Sequence, residues 1–326
     1  MSATVLRRTV LACVGAALLL AQALPATAQF PSRPLRAVVP AGAGGAADVL
    51  ARVLADRLGT TLGQPVVVDN RPGAGGIIGS EAVARANADG HTLLVTSNTF
   101  IIAPSLYAKV PFDIDRDFAP VALLASTPNL LVIAADRGVR TLADLVALAR
   151  KTGGGLDYGS PGVGTAAQLT VELIARSAGA PLNHVPFKSP QQAMVETLAG
   201  RIPVSISGVS NSLPHVKAGR IVPLLVTDAR RHPLYPDVPS VTEAGIPEAA
   251  LSVWFGVYAT GGTPAPILTR LNAEINAALR QADVAAKLAA QGFDPMGGPA
   301  SRLADLQRRE RPIYAKVIRD AGMKVE

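Results

Sequence analysis

From Leu35 onward, short runs of apolar and β-branched residues alternate with longer stretches whose apolar positions recur at helical spacing. Leu35–Pro40 reads as a strand. Ala46–Leu58 carries Val49, Leu50, Val53, Leu54 and Leu58 on one face and reads as an amphipathic helix. Pro65–Asp69 predicts a second strand, Ile77–Ala86 a helix and Thr92–Thr96 a third strand. This βαβαβ order predicts a parallel sheet with helices on both faces. A second set begins near Asn129, with strands at Leu130–Ala134, Leu156–Gly159, around Val185, at Ile202–Ile206 and at Val222–Thr227. Helices are predicted between them at Leu142–Ala149, at Thr165–Ala178 and from Ser189 to Gly200. Ser189-Pro190-Gln191-Gln192 supplies a cap, a first-turn proline and a glutamine three residues after the cap. The C-terminal part reads as three helices: Thr263 to Arg280, Asp283–Gln291, and Ser301–Ala321 with a kink at Pro312.

No repeat, low-complexity tract or long linker divides the two sets. They predict two lobes joined by crossing strands, with a ligand cleft between them. The expected boundaries are 29–128 and 230–326 for the first lobe and 129–229 for the second. Ligands of open α/β sheets sit beyond the carboxyl ends of the strands. The strand-to-helix loops are therefore where function is sought.

The N-terminal segment changes the picture of where the protein works. Arg7 and Arg8 precede an apolar run, Thr9–Leu24, and Ala26-Thr27-Ala28 follows it, the three-part pattern of a secretory signal. Cleavage is expected after Ala28, whether the export route is the general one or the twin-arginine one, and the destination is periplasmic. Cys13 is the single cysteine, so the mature chain has no disulfide, thiolate nucleophile or cysteine zinc site. Without Arg7 and Arg8, 29 basic residues face 24 acidic ones, a net charge of +5. They are scattered and accompanied by few aromatics, which argues against a nucleic-acid surface.

Two loops set a glycine-rich turn against a helix start: Pro40-Ala41-Gly42-Ala43-Gly44-Gly45-Ala46-Ala47-Asp48 and Gly159-Ser160-Pro161-Gly162-Val163-Gly164-Thr165. A third, Thr96-Ser97-Asn98-Thr99, also follows a strand. A helix start offers unpaired N–H groups and partial positive charge, so it holds a carboxylate without an arginine or lysine. Thr165 with Gln168 reads as a capping box. Each loop alone is also an ordinary glycine turn; one in each lobe makes a clamp around a single anion. A rival reading takes Gly42-x-Gly44-x-x-Ala47 with Asp69 as a dinucleotide fingerprint of an exported NAD(P)-dependent oxidoreductase. No acid–base set accompanies it. His91, His184, His215 and His232 are isolated along the chain, and no nucleophile elbow or Walker loop occurs. No catalytic residue, metal or cofactor is expected. Trp254 and Phe255 read as core or cleft lining.

The ordered set Gly44-Gly45-x-x-Asp48-x-x-Ala51-Arg52, Asp69-Asn70-Arg71-Pro72-Gly73-Ala74-Gly75-Gly76, Tyr158-Gly159-Ser160-x-Gly162-x-Gly164, His184-Val185-Pro186-Phe187-Lys188 and Trp254-Phe255-Gly256 resembles one family. It is that of the extracytoplasmic solute-binding proteins of tripartite tricarboxylate transporters, the Bordetella-uptake-gene (Bug) type, and the likeness covers nearly all of the mature chain. It implies a type II-like periplasmic-binding-protein fold and capture of a small carboxylic acid by lobe closure. It implies membrane transporter subunits as partners and a monomer. Carried over by motif, the implied ligand-binding residues are Gly44, Gly45 and Ala46, Ser97 and Asn98, and Ser160, Gly162, Gly164 and Thr165. Ser189 stands where the family usually has glycine, and Ser207 where many members have an aspartate facing the ligand. Ser207 is therefore expected to favour a carboxylate without an ammonium group. A periplasmic sensor binding the same ligand has the same sequence features.

Overall fold

A computed structural model describes residues 30–323. The first strand, β1 (Leu35–Val39), is followed by α1 (Ala46–Leu62), β2 (Val66–Asn70), α2 (Ile77–Ala84) and β3 (Thr92–Ser97). β1 lies between β2 and β3 and pairs in parallel with both, Ala37 standing opposite Val68 and Leu93. Of the predicted stripe on α1, Leu50, Val53, Leu54 and Leu58 are buried, each worth about 1.5–3 kcal/mol against exposure, while Val49 is half-buried; Leu62, beyond the expected end of the helix, extends the buried face.

After β3 the sheet stops being parallel. The chain runs through α3 (Thr99–Leu106) and α4 (Ile114–Asp117) into β4 (Phe118–Thr127). Much later, β10 (Val253–Thr260) inserts antiparallel between β3 and β4, and the short β11 (Asp294–Pro295) pairs with β4. The strand order is β11-β4-β10-β3-β1-β2. The expectation of a parallel sheet thus holds for β1–β3 only. β4 and β10 have no alternating pattern because both of their faces are covered, and α3 starts directly from the loop after β3. Phe100 packs edge-on against Phe118 at 4.8 Å and beside Tyr258 at 5.0 Å, tying α3, β4 and β10 into one core.

The second sheet takes β5 (Asn129–Ala134), β6 (Leu156–Ser160), β7 (Leu182–Pro186), β8 (Val204–Gly208) and β9 (Ile221–Val226), in the order β7-β6-β8-β5-β9. β6 is parallel to β7 and β8, while β5 is antiparallel to β8 and β9. Its helices are α5 (Leu142–Lys151), α6 (Ala166–Ala178), α7 (Pro190–Leu198) and α8 (Val209–Lys217). One sheet face, with Leu131, Ile133, Tyr158, Val204 and Ile206, packs on α5 and on Ala167, Val171 and Ile174 of α6. The opposite face, with Leu130 and Val132, packs on Met194 of α7 and Val209 of α8.

The chain passes between the sheets at Thr127-Pro128-Asn129 and again along 227–252. Next to these crossings, Ala166 and Leu169 of α6 share a core with Phe100, Leu106, Leu251 and Trp254. The C-terminal helices are α9 (Ala265–Leu279), α10 (Ala282–Ala289) and α11 (Ala300–Asp320). α11 stays helical through Pro312 and contributes Leu303, Tyr314, Val317 and Ile318 to the shared core. Among the described residues no helix is long and apolar enough to cross a membrane. The expected leader, residues 1–28, and its expected cleavage point lie outside the described residues.

Candidate functional site

The loops at the carboxyl ends of β1, β2 and β3 and of β6 and β8 carry the residues singled out above. In the first lobe, Gly45 is the N-cap residue of α1, and no side chain caps the helix. The Gly44 N–H donates to Asp48 Oδ2 at 2.8 Å, and the Gly45 N–H points to the Gly42 carbonyl at 3.3 Å. Arg52 Nε donates to the same Asp48 oxygen at 2.9 Å. Burial pushes the Asp48 carboxyl up, but Arg52, the Gly44 N–H and Asn70 together hold it below its ordinary value. The buried carboxylate therefore stays ionised and sits on the positive end of its own helix. Gly44 and Gly45 are turn formers whose N–H groups are already engaged; Ala46 and Ala47 supply the first-turn N–H groups.

The same carboxylate weakens the dinucleotide reading. A pyrophosphate seated on this helix start would meet Asp48, and Asp69 accepts from Arg71 Nε at 2.8 Å.

The second lobe's loop is a closed set of hydrogen bonds. Ser160 Oγ accepts from the Gly162 N–H at 3.1 Å and lies 2.6 Å from His184 Nε2. Thr165 Oγ1 donates to the Gly162 carbonyl at 3.0 Å and accepts from the Gln168 N–H at 3.3 Å. Gln168 Oε1 takes the Gly164 N–H at 2.7 Å, so the return bond of the capping box lands one residue earlier than expected. The Ser189 cap does the same: Gln192 Oε1 takes the Lys188 N–H at 3.2 Å. His184 is thus not isolated in space. Burial lowers it to about 4, so the ring is neutral near pH 7 and fastens the fully buried Ser160 hydroxyl. Unlike α1, α6 has no acidic residue in its first turn, so its helix charge is uncompensated.

α3 brings the two lobes' loops together. Gly164 has φ +74°, and a Cβ there would overlap Leu106 at the end of α3. Gly75, with φ +62°, leaves room for Tyr107, whose hydroxyl lies 2.6 Å from where a Cβ would be. Leu106 and Tyr107 are thus wedged between the second lobe's loop and the 73–76 turn of the first.

Ser97 ends β3, and its Oγ faces the Thr99 N–H at 3.4 Å. Asn98 is fully buried. Its Nδ2 donates to Tyr314 Oη at 2.8 Å and to the Ser252 carbonyl at 3.2 Å, while Oδ1 has no partner among the described residues. Tyr314 Oη donates to Glu310 Oε2 at 3.1 Å, and Trp254 Nε1 donates to the same oxygen at 2.7 Å.

Ser207 is placed differently from the other candidates. By strand register it shares the face of Leu130, on the side of α7 and α8, and it accepts from Asn211 Nδ2 at 2.6 Å. Ser160 stands level with Ile206, on the α6 side of the sheet. The structure therefore separates these two hydroxyls by the thickness of the sheet. No sequence signal singled out Asn129, which opens β5 at the crossing and is buried, its Nδ2 without a partner among the described residues.

A groove of about 280 Å³ runs along the second half of α1 against α10, spanned by Arg57 and Asp283, away from these loops. Among the described residues, no cluster of histidine, cysteine or carboxylate side chains could hold a metal.

Residues 50–323 match the family described as the tripartite tricarboxylate transporter family receptor. The chain is 36% identical to the protein BugT of Bordetella pertussis over 299 residues, covering 91% of this chain and 92% of that one. Among solved structures, Rpa4515 of R. palustris with adipate is 34% identical, with a TM-score of 0.83, covering 90% of this chain and 99% of that one. MatC from Rhodopseudomonas palustris with bound malate is 32% identical, with a TM-score of 0.80, covering 89% and 100%.

Proposed function

The chain belongs to the tripartite tricarboxylate transporter receptor family, and from that premise we propose that it captures a small carboxylate solute between its lobes and delivers it to membrane transporter subunits. The observation that carries this reading is the start of α6. It offers first-turn N–H groups in a buried setting with no acidic residue to neutralise them, against a loop contributed by the other lobe. Adipate and malate, the solutes held by the two R. palustris proteins, mark the chemical class.

Binding without chemistry is the expected mode. The Ser160 hydroxyl is shielded from solvent and engaged with His184 and the Gly162 backbone, so it latches the loop and is poorly placed as a nucleophile. The proposal includes export with cleavage after Ala28, a periplasmic location and a monomer. It assigns the first lobe to 29–128 and 230–326 and the second to 129–229.

The test is a thermal-shift screen of the mature protein over mono-, di- and tricarboxylates and aromatic acids, followed by calorimetry. At least one carboxylate is expected to bind with roughly micromolar affinity, about −8 kcal/mol. At a hundredfold excess over Kd it adds about 2.7 kcal/mol of stability and raises Tm by several degrees. The bound acid is recovered unchanged. No shift with any carboxylate, or turnover of the bound one, would refute the proposal.

A further inference from the structure

Asn129 combines a buried polar group that is unpartnered among the described residues with a position at one of the two chain crossings. Its backbone is fully used: the N–H donates to Thr227 Oγ1 at 2.9 Å, and the carbonyl accepts from the Thr227 N–H at 2.9 Å. This pair ties together the two chain segments that pass between the lobes. The residue is 5% exposed, yet its Nδ2 has no acceptor among the described residues. A buried amide that meets no acceptor costs free energy, and the great majority of buried polar groups in folded proteins are paired, so this donor calls for a partner.

Strand register says where that amide lies. Asn129 stands opposite Gly208, two residues before Leu131 and therefore on the same face of β5. Leu131 and Ile206, the latter two residues before Gly208, belong to the same buried cluster as Ala167 and Val171 of α6. Asn129 thus emerges on the α6 side, at the sheet end beyond which β6 hands the chain to the start of α6. That helix has 13 residues, a Thr165 cap that occupies only the Gln168 N–H, and no acid in its first turn. Ala166 and Ala167 are 1% and 3% exposed, so their N–H groups face a dry environment. A helix start and a buried side-chain donor, independent of each other, thus lie on the same side and at the same end of the sheet.

We propose that Asn129 Nδ2 and the first-turn N–H groups of α6 together hold one carboxylate group of the solute, with Asn129 as the specificity-determining side chain. This rests on the solute-binding reading and adds a residue to it. The recognition is by neutral donors only. It selects an acceptor-only group, an ionised carboxylate, over an amide or an ammonium, because Nδ2 and the helix N–H groups have nothing to accept with.

The experiment uses the full mature chain as wild type, Asn129→Leu, Asn129→Ser and Asn129→Asp. The probes are adipate, malate and the best acid from the carboxylate screen, each paired with its amide, and are measured by calorimetry. The unliganded Tm is recorded in parallel. The expected result is a loss of at least tenfold in affinity for Asn129→Leu, with an unliganded Tm unchanged or raised because the unmet donor is gone. Asn129→Ser is expected to fall between wild type and Asn129→Leu. Asn129→Asp should bind more weakly than Asn129→Leu, since it sets a carboxylate against a carboxylate. The wild type should reject the amides. Wild-type affinity retained in Asn129→Ser and Asn129→Asp overturns the inference. So does a lowered unliganded Tm with affinity intact, which makes Asn129 purely structural. If the wild type itself binds no carboxylate, the solute-binding reading falls first and this inference with it.

Discussion

At Gly164 two constraints coincide. Its φ of +74° suits glycine, and a side chain would run into Leu106 of the other lobe. A β-branched residue there pays twice, in backbone strain of about 1–2 kcal/mol and in overpacking of about 1–3 kcal/mol. Gly164→Val is therefore expected to lower stability by about 2–5 kcal/mol in urea titration. It should also abolish carboxylate binding in calorimetry, because Leu106 and the α6 start are pushed apart. Wild-type affinity in this variant would remove the loop from the site. Gly44 has the same kind of backbone, φ +76°, but open space around it, so its requirement is conformational alone. The difference between the two glycines is invisible in the sequence, where both stand in similar Gly-x-Gly runs.

Helix α11 crosses the first lobe and supplies Glu310, a buried carboxyl group that receives Trp254 Nε1 and Tyr314 Oη. Through Tyr314 it reaches Asn98 at the start of α3, so one helix orients both the entry of β10 and the end of β3. Burial raises the Glu310 carboxyl above its ordinary value of 4.5, against the lowering effect of those two hydrogen bonds. Between 4.5 and the raised value the folded protein holds a proton that the unfolded chain has released, so stability falls as pH rises through that window. Glu310→Gln should flatten this slope in pH-dependent urea melts while keeping an acceptor for the indole. Glu310→Ala should cost about 2–4 kcal/mol, since it leaves the Trp254 and Tyr314 donors buried and unpaired. An unchanged slope in Glu310→Gln would mean that Glu310 does not titrate differently on folding.

The described residues form two mixed sheets joined by two chain crossings, with the hydrogen-bonded Asn129–Thr227 pair beside them. A pair of crossings allows rotation of one lobe against the other without breaking either sheet. Solute captured between the lobes should then shift the population toward a closed form. Small-angle scattering of the mature protein, with and without a saturating carboxylate identified by the screen, is expected to show a smaller radius of gyration when bound. Equal radii, with binding verified in the same samples, would mean that capture proceeds without lobe rotation.

Much of this protein was legible in the order of its residues. The βαβ unit from Leu35 to Ser97, the Thr165 and Ser189 caps and the apolar face of α1 follow from periodicity and turn chemistry, which act within a few residues. The helix starts that present N–H groups were legible for the same reason. β4 and β10 were not: covered on both faces, they lack alternation, and their antiparallel insertion depends on a return of the chain from the other lobe. Which donors remain available was also decided in three dimensions. Asp48 takes the Gly44 N–H because a helix turn brings it back four residues, and Gln168 takes the Gly164 N–H likewise. The face on which Ser207 points, the neighbour that forbids a side chain at Gly164, and the pairing of Ser160 with His184 join residues distant along the chain or strands brought together by folding. Local pattern determines the elements and their caps. Strand register and lobe contact determine which polar groups are already bonded within the protein and which, like Asn129 Nδ2, have no partner among the described residues.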